Sequence, residues 1–470
     1  MEGADAWYLY LEGPTMYLHV TGVLLLDPTT APNGFSFAQL REFVSSRLEF
    51  MPALRRRLVE VPLAIDHPGW IEDPDFDIDN HLHERHLGDA RTMDELTAYV
   101  GEFASVPLSR DRPLWDMVLV DHLEGGRAAV IAKMHHCIID GGSGMDAMAY
   151  LLDLSPEAQD APTPRPWSPD AAPSAVNVAA SAAINRLKTP LRPARAAVGA
   201  ARSVARLVGV SLGRRLGRSS AATRKAIAPR TRFNATISGD RSVAFGLAPL
   251  KDFKIIKSAF GVTVNDVVLA ACTAGLRRYL EAWDTIPDRA LIGSIPVSTH
   301  GQPSGGATNQ VSMMFVELPV HLSDPVKQLE SIHAGSDSAK EMQRVVGTDL
   351  VSDIVELVPG SMFHMVTRLY SQSGLADRLA PMQNLIISNI MGSPIPVYMA
   401  GARVTAMYPF GPLAEGSGLN ITVLSNMDEM NIGLIACPEL VPHLDELLAG
   451  IQQGVTALLK ASKRGRAPRK

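Results

Sequence analysis

Short apolar runs with strand character recur along the whole 470-residue chain, and helical patterns lie between them. "YLHVTGVLLLD", "RAAVIAKM", "ALIGSIPV", "NQVSMMFVELPV", "NLIISNI", "GARVTAMY", "LNITVLSN" and "MNIGLIAC" read as strands, several of them rich in β-branched residues at period two. "FAQLREFVSSRL", "MDELTAYVGEFA", "TVNDVVLAACTAGLRRYLEAW" and "ELVPHLDELLAGIQQGVTALLKA" read as helices, the third capped by Thr263. Elements of both kinds mingled in this way predict an α/β (mixed α+β) fold of large mixed sheets covered by helices. No repeat at solenoid spacing is found, and the length exceeds what one core usually organises, so two domains are expected.

Charge divides the chain further. Forty-four basic and 49 acidic residues give a net charge of −5, yet no acidic residue lies between Asp170 and Asp240, where Arg and Lys add up to +13. The Pro-, Ser- and Ala-rich "SPEAQDAPTPRPWSPDAAPSA" leads into that stretch and reads as a linker. The expected organisation is therefore an N-terminal domain over 1–160, a basic Ala/Arg-rich helical connector over 161–235 and a C-terminal domain over 236–470. At 100° per residue Arg195, Arg202 and Arg206 fall opposite Ala197, Ala201, Val204, Val208 and Leu212. Such an amphipathic helix either packs on a domain or lies on an anionic lipid surface.

Apolar residues make up 46% and charged residues 20%, which excludes general disorder. Cys137, Cys272 and Cys437 show neither disulfide nor metal-ligand spacing, so a reducing cytosol is expected. The start, "MEGADAWYLYLEG", is acidic and reads as no signal peptide. No apolar run reaches the roughly 18 residues of a membrane span, so any membrane contact should be peripheral.

The chemistry concentrates in "KMHHCIIDGGSGMDAM", where a strand ends and glycines follow. Side chains alternate across a strand, so His135 and His136 are expected to face opposite ways, one into a cleft and one in support. Gly141 and Gly142 permit a sharp turn and close approach of a substrate. A neutral imidazole can take the proton of an alcohol as it attacks an electrophile, and Asp140 would fix the loop or the ring. Core packing is the first rival reading. Metal binding by His136 and Asp140 lacks a third ligand at a familiar spacing, and a Cys137 nucleophile would have His136 pointing away from it.

His135, His136, Asp140 and Gly141 match the HHxxxDG signature, and "DPDFDIDNHL", "PLSRDRPLWDMVLVDHLEGGR", "TVNDVVLA", "NQVSMMFVELP", "SNIMGSPIPVYMAGARV" and "GLNITVLS" follow in order over almost the whole chain. In these segments the chain resembles the bacterial wax ester synthase/diacylglycerol acyltransferase family. The resemblance implies two chloramphenicol acetyltransferase-like domains with an active-site tunnel between them. It implies transfer of a long-chain acyl group from acyl-CoA, as co-substrate and without a further cofactor or metal, to diacylglycerol or a long-chain alcohol. Peripheral membrane or lipid-inclusion contact in the cytoplasm is expected, and nucleic acid is not an expected partner. By the same resemblance His136 is the general base, His135 its support, Asp140 mainly structural, and Gly141 keeps the tunnel open. Pro113, Leu114 and Trp115 form the PLW motif, read first as scaffold. Asn265 and Asp266 form the ND motif, in which the Asn amide either donates to an oxyanion or the pair caps a helix. Two positions depart from the family pattern: His300 stands where an Arg is usual, and Asn426 and Met427 follow the "LNITVLS" strand where a Tyr is common. Transfer from carrier-protein thioesters and non-catalytic lipid binding are the alternative readings.

Overall fold

The computed structural model describes residues 3–62, 66–88, 91–138, 150–157, 169, 171–188, 228–298, 311–346, 365, 367–369, 371 and 373–465. In chain order its helices are α1 (Gly3–Leu11), α2 (Phe37–Arg47), α3 (Met93–Ser105), α4 (Ala175–Lys188), α5 (Leu250–Phe260), α6 (Val264–Trp283), α7 (Pro325–Val346), α8 (Leu375–Arg378) and α9 (Leu444–Gly465). The strands of the first half are β1 (His19–Asp27), β2 (Arg56–Val59), β3 (Gly69–Glu72), β4 (Leu82–Arg85), β5 (Trp115–Leu123) and β6 (Arg127–His135). Those of the second are β7 (Ser242–Pro249), β8 (Leu291–Ser298), β9 (Val311–Leu318), β10 (Leu385–Met391), β11 (Tyr398–Met399), β12 (Ala402–Phe410), β13 (Leu419–Asn426) and β14 (Glu429–Ala436). They form two six-stranded mixed sheets, β11-β12-β1-β6-β5-β4 and β7-β14-β13-β10-β8-β9, and β2 and β3 pair separately.

Local sequence accounts for several boundaries. Ser36 accepts from the Gln39 amide at the start of α2, whose Leu40, Phe43 and Val44 form one buried stripe. Thr92 with Glu95 and Thr263 with Asp266 close reciprocal capping boxes on α3 and α6, as the sequence predicts for Thr263. The last helix starts at Leu444, five residues later than the sequence pattern suggests. Pro442 disfavours helix at Val441, and His443 takes a left-handed φ of 54°, so the chain can turn helical only after it. The stretch read from sequence as an amphipathic helix around Arg195, Arg202 and Arg206 lies outside the described residues.

The first sheet does not respect the division of the chain at 236. β12, from the C-terminal part, pairs antiparallel with β1 from Thr21↔Phe410 to Asp27↔Arg403, and β11 extends it. Without β12 the backbone groups of β1 on that side would be unpaired, which a buried strand does not tolerate. Residues 236–470 are thus not one self-contained sheet unit.

β12 also joins the two sheets. Gly433 of β14 lies so near β12 that a Cβ there would stand 2.1 Å from the Pro409 carbonyl oxygen. Phe245 packs on Tyr408 at 4.6 Å between ring centroids, and the Met407 amide donates to Asn431 at 3.2 Å. Behind the second sheet α6 and α9 pack together on a continuous apolar core. Among the described residues no single helix is long and apolar enough to cross a membrane; the apolar pair α5 and α6 is bent by 105°.

Candidate active site

β6 sits centrally in the first sheet, paired with β1 on one side and β5 on the other, and it ends at His135 opposite His19. The His135 amide donates to Leu114 O at 2.9 Å, so the PLW segment fixes the backbone of the first histidine. Leu114 and Trp115 are buried, and the Trp115 indole donates to Leu54 O at 2.8 Å. Trp115 also stacks on His81, which stacks on Phe76 of the "DPDFDIDNHL" segment. The motif therefore serves as scaffold, as its apolar composition suggests.

His135 is fully enclosed. Its Nδ1 accepts from the Cys137 amide at 3.1 Å, with the Cys137 thiol sulfur at 2.9 Å. An Nδ1 that accepts leaves the proton of the neutral ring on Nε2. That nitrogen faces the Glu12 carboxylate at 3.7 Å, and Arg110 in turn grips Glu12 through Nη2 at 2.5 Å and Nε at 3.1 Å. Arg110 also donates to Leu9 O, tying the group to α1. Burial first, then unfavourable coupling to the neighbouring His19 ring and to the Arg110 guanidinium, holds the His135 pKa well below the usual range. The ring stays neutral at physiological pH.

His136 begins the turn after β6, where strict strand alternation stops. Its amide donates to Leu18 O at 2.7 Å, and its half-buried ring lies nearly parallel to Tyr8, with centroids 4.2 Å apart and 10° between planes. Nδ1 is sealed from solvent and has no hydrogen-bond partner on another described residue. Burial pushes the pKa down to about 4, opposed only by the residue's own backbone. Tyr8 and Glu12 are four residues apart in sequence, at the face spacing of a helical turn, so the same stretch at α1 reaches both imidazoles. The sequence pattern did not single out Tyr8, Glu12 or Arg110 for this role.

Cys137 stands closer to a histidine than its sequence neighbours suggest, but to His135 rather than His136. Burial raises its thiol pKa well above the usual value, so it is held as a thiol and not as a nucleophilic thiolate. Asp140, Gly141 and His300 lie outside the described residues. Among the described residues no group of three or more His, Cys, Asp or Glu side chains is placed to hold a metal ion.

The ND pair lies at the N-terminus of α6. Asp266 closes the capping box and also accepts from His333 Nδ1 of α7 at 2.9 Å. Asn265 Oδ1 accepts from Asn389 of β10 at 3.3 Å, and no hydrogen bond joins it to either histidine. For Asp266 the capping alternative is the one realised. Asn426 is buried at the end of β13 with its Oδ1 lacking a partner among the described residues, and the Met427 amide donates to Ser393 O.

Known proteins resemble this chain over nearly its whole length. Residues 1–268 match the wax ester synthase/diacylglycerol acyltransferase catalytic domain, and residues 307–458 match the C-terminal domain of the same family. A Mycobacterium tuberculosis H37Rv protein provisionally named a diacylglycerol O-acyltransferase is 34% identical over 466 residues, spanning 98% of this chain and 90% of the relative. A second one from that organism is 30% identical over 476 residues, spanning 100% and 98%. Among solved structures, the wax ester synthase/diacylglycerol acyltransferase from Marinobacter aquaeolei VT8 superposes with a TM-score of 0.69 at 26% identity, covering 98% of both chains. The first condensation domain of the calcium-dependent antibiotic synthetase, at 16% identity and a TM-score of 0.57 over 99% of this chain and 97% of that one, shares the fold.

Proposed function

Because the chain belongs to the wax ester synthase/diacylglycerol acyltransferase family, a family of acyltransferases, we propose that it moves a long-chain fatty acyl group from acyl-CoA to the hydroxyl of diacylglycerol or of a long-chain alcohol, with His136 as general base. The observation that carries the chemistry is a neutral, oriented His136 at the end of a central strand, backed by a second neutral histidine. The names of the mycobacterial relatives favour diacylglycerol as the acceptor.

In this reading the acceptor oxygen attacks the thioester carbonyl carbon while its proton passes to His136. A tetrahedral oxyanion forms and collapses, the C–S bond breaks, and the imidazolium returns the proton to the leaving thiolate, giving ester and free CoA. A base with a pKa near 4 cannot ionise an alcohol beforehand, so proton transfer must accompany attack. Acyl-CoA and acceptor are taken to approach through an interdomain tunnel from opposite ends, with Asp140 ordering the loop and Gly141 keeping it clear. Asn265 is kept as an oxyanion donor through its amide NH2, which the Asn389 contact at Oδ1 does not use. Purified protein given palmitoyl-CoA should release CoA in step with ester when supplied with a diacylglycerol or hexadecanol, the faster acceptor naming the activity. Absence of CoA release with every hydroxyl lipid would overturn the proposal.

Such acceptors are insoluble, and the basic stretch between Asp170 and Asp240 supports a cytoplasmic protein held on the membrane or on lipid inclusions by charge. Sedimentation with anionic vesicles should fall at high salt and fall again when Arg195, Arg202 and Arg206 become Gln. Binding indifferent to both changes would return the connector to a packing role.

A further inference from the structure

A histidine base must present one nitrogen to the substrate in a fixed plane, and its other nitrogen is commonly held by a hydrogen-bond acceptor that fixes the ring. His136 lacks such a holder among the described residues: Nδ1 is buried without a partner on another residue, and its backbone N–H is spent on Leu18 O. The carboxylate that follows α1, Glu12, is gripped by Arg110 and approaches His135 instead. What the ring does have is a parallel aromatic face at 4.2 Å. That face is itself held in place, because Tyr8 packs against the apolar cluster that contains Leu9, Leu114 and Cys137.

Resting on the reading of His136 as the base, we propose that Tyr8 is a positioning residue, whose flat ring sets the plane of the His136 imidazole and keeps water off that face. The flat face does this, not the phenol hydroxyl, so Phe should replace Tyr without loss, whereas a side chain of similar bulk and no ring should not. Loss of the stack frees the ring to tilt, and a displacement of about 1 Å at a reacting group can cost on the order of 10²-fold in rate. It also admits water, and relief of burial raises the imidazole pKa from about 4 toward its ordinary value.

Tyr8→Phe, Tyr8→Met and His136→Ala are to be compared at equal folding, judged by near-ultraviolet circular dichroism. Tyr8→Phe should stay within about twofold of the parent, and Tyr8→Met should lose about 10- to 10²-fold in kcat with the KM for palmitoyl-CoA nearly unchanged. Between pH 8 and pH 6 the kcat/KM of the parent should hold, while that of Tyr8→Met should fall about fourfold as an imidazole with a pKa near 6.5 takes up its proton. A wild-type kcat and an unmoved pH profile in Tyr8→Met overturn this proposal while an inactive His136→Ala leaves the base reading standing; an active His136→Ala overturns the base reading itself. Should Tyr8→Met fail to fold, the ring-current displacement of the His136 Hε1 resonance in the parent and in Tyr8→Phe decides: its presence in both supports the stack, and its absence from the parent overturns it.

Discussion

Replacement of His136 by Ala is expected to lower kcat by about 10²- to 10⁴-fold, the usual worth of a positioned general base, with the melting temperature little changed. The side chain is half-buried and its ring is bound by one stack and no hydrogen bond to another described side chain, so its removal leaves no buried partner stranded. The parent enzyme should also keep its kcat/KM from pH 8 to pH 6. A base with a pKa near 4 is still neutral there, whereas an ordinary histidine would be mostly protonated at pH 6. An inflection near pH 6.5, or near-parental turnover in His136→Ala, would assign the base elsewhere. His135→Ala should behave differently. It leaves the Cys137 amide without its acceptor and opens a void in an enclosed site, so stability should fall together with activity.

Acid should destabilise the folded protein strongly between pH 7 and pH 5. Burial lowers the pKa of His19 to about 3 and that of His81 to about 4, and carries that of His135 well down. A histidine whose folded pKa lies below its unfolded value contributes stability that is fully present above about pH 6.5 and is lost as pH falls toward the folded value. At pH 5 the unfolded chain binds a proton at each site that the folded chain refuses, which costs about 2 kcal/mol each for His19 and His81. Burial holds both neutral, partly opposed by the one backbone hydrogen bond that orients each ring. His19 donates from Nε2 to Ala104 O at the end of α3, and His81 donates from Nδ1 to Trp115 O between two aromatic rings. The carboxyls of Asp116 and Glu415, raised by burial, act in the opposite sense, but only as pH drops below their own pKa values. Urea midpoints at pH 7.5, 6 and 5 should therefore fall monotonically, and His81→Phe should flatten the slope by one histidine's share. A midpoint constant across that range would mean that these rings are not neutral in the folded state.

Much of the scaffold is legible locally. The alternation in "RAAVIAKM" and "LNITVLSN" is that of half- or fully buried strands, Thr263 and Thr92 carry their capping partners three residues on, and the apolar triplet in α2 marks its buried face. Less legible are β5, whose near-continuous burial removes the period-two signal, and α1, which is short and has no strong capping signature. The sharpest local signal is the HHxxxDG segment, because two adjacent histidines ahead of Asp-Gly-Gly are poorly explained by packing alone.

The sequence by itself thus determined the mixed α/β class, the family, most element positions and the two histidines at a strand end, because each of these is written in residues a few positions apart. Only the tertiary structure decided what those histidines touch. Tyr8 under His136, the Arg110–Glu12 clamp beside His135, and β12 completing the first sheet all come from chain segments distant in sequence. Strand order and register bring them together, and one sequence carries no record of which distant segments pair. The neutrality of both imidazoles follows from the same cause: a pKa is set by the dielectric and charges around a group, and that surrounding exists only once the core has closed over it.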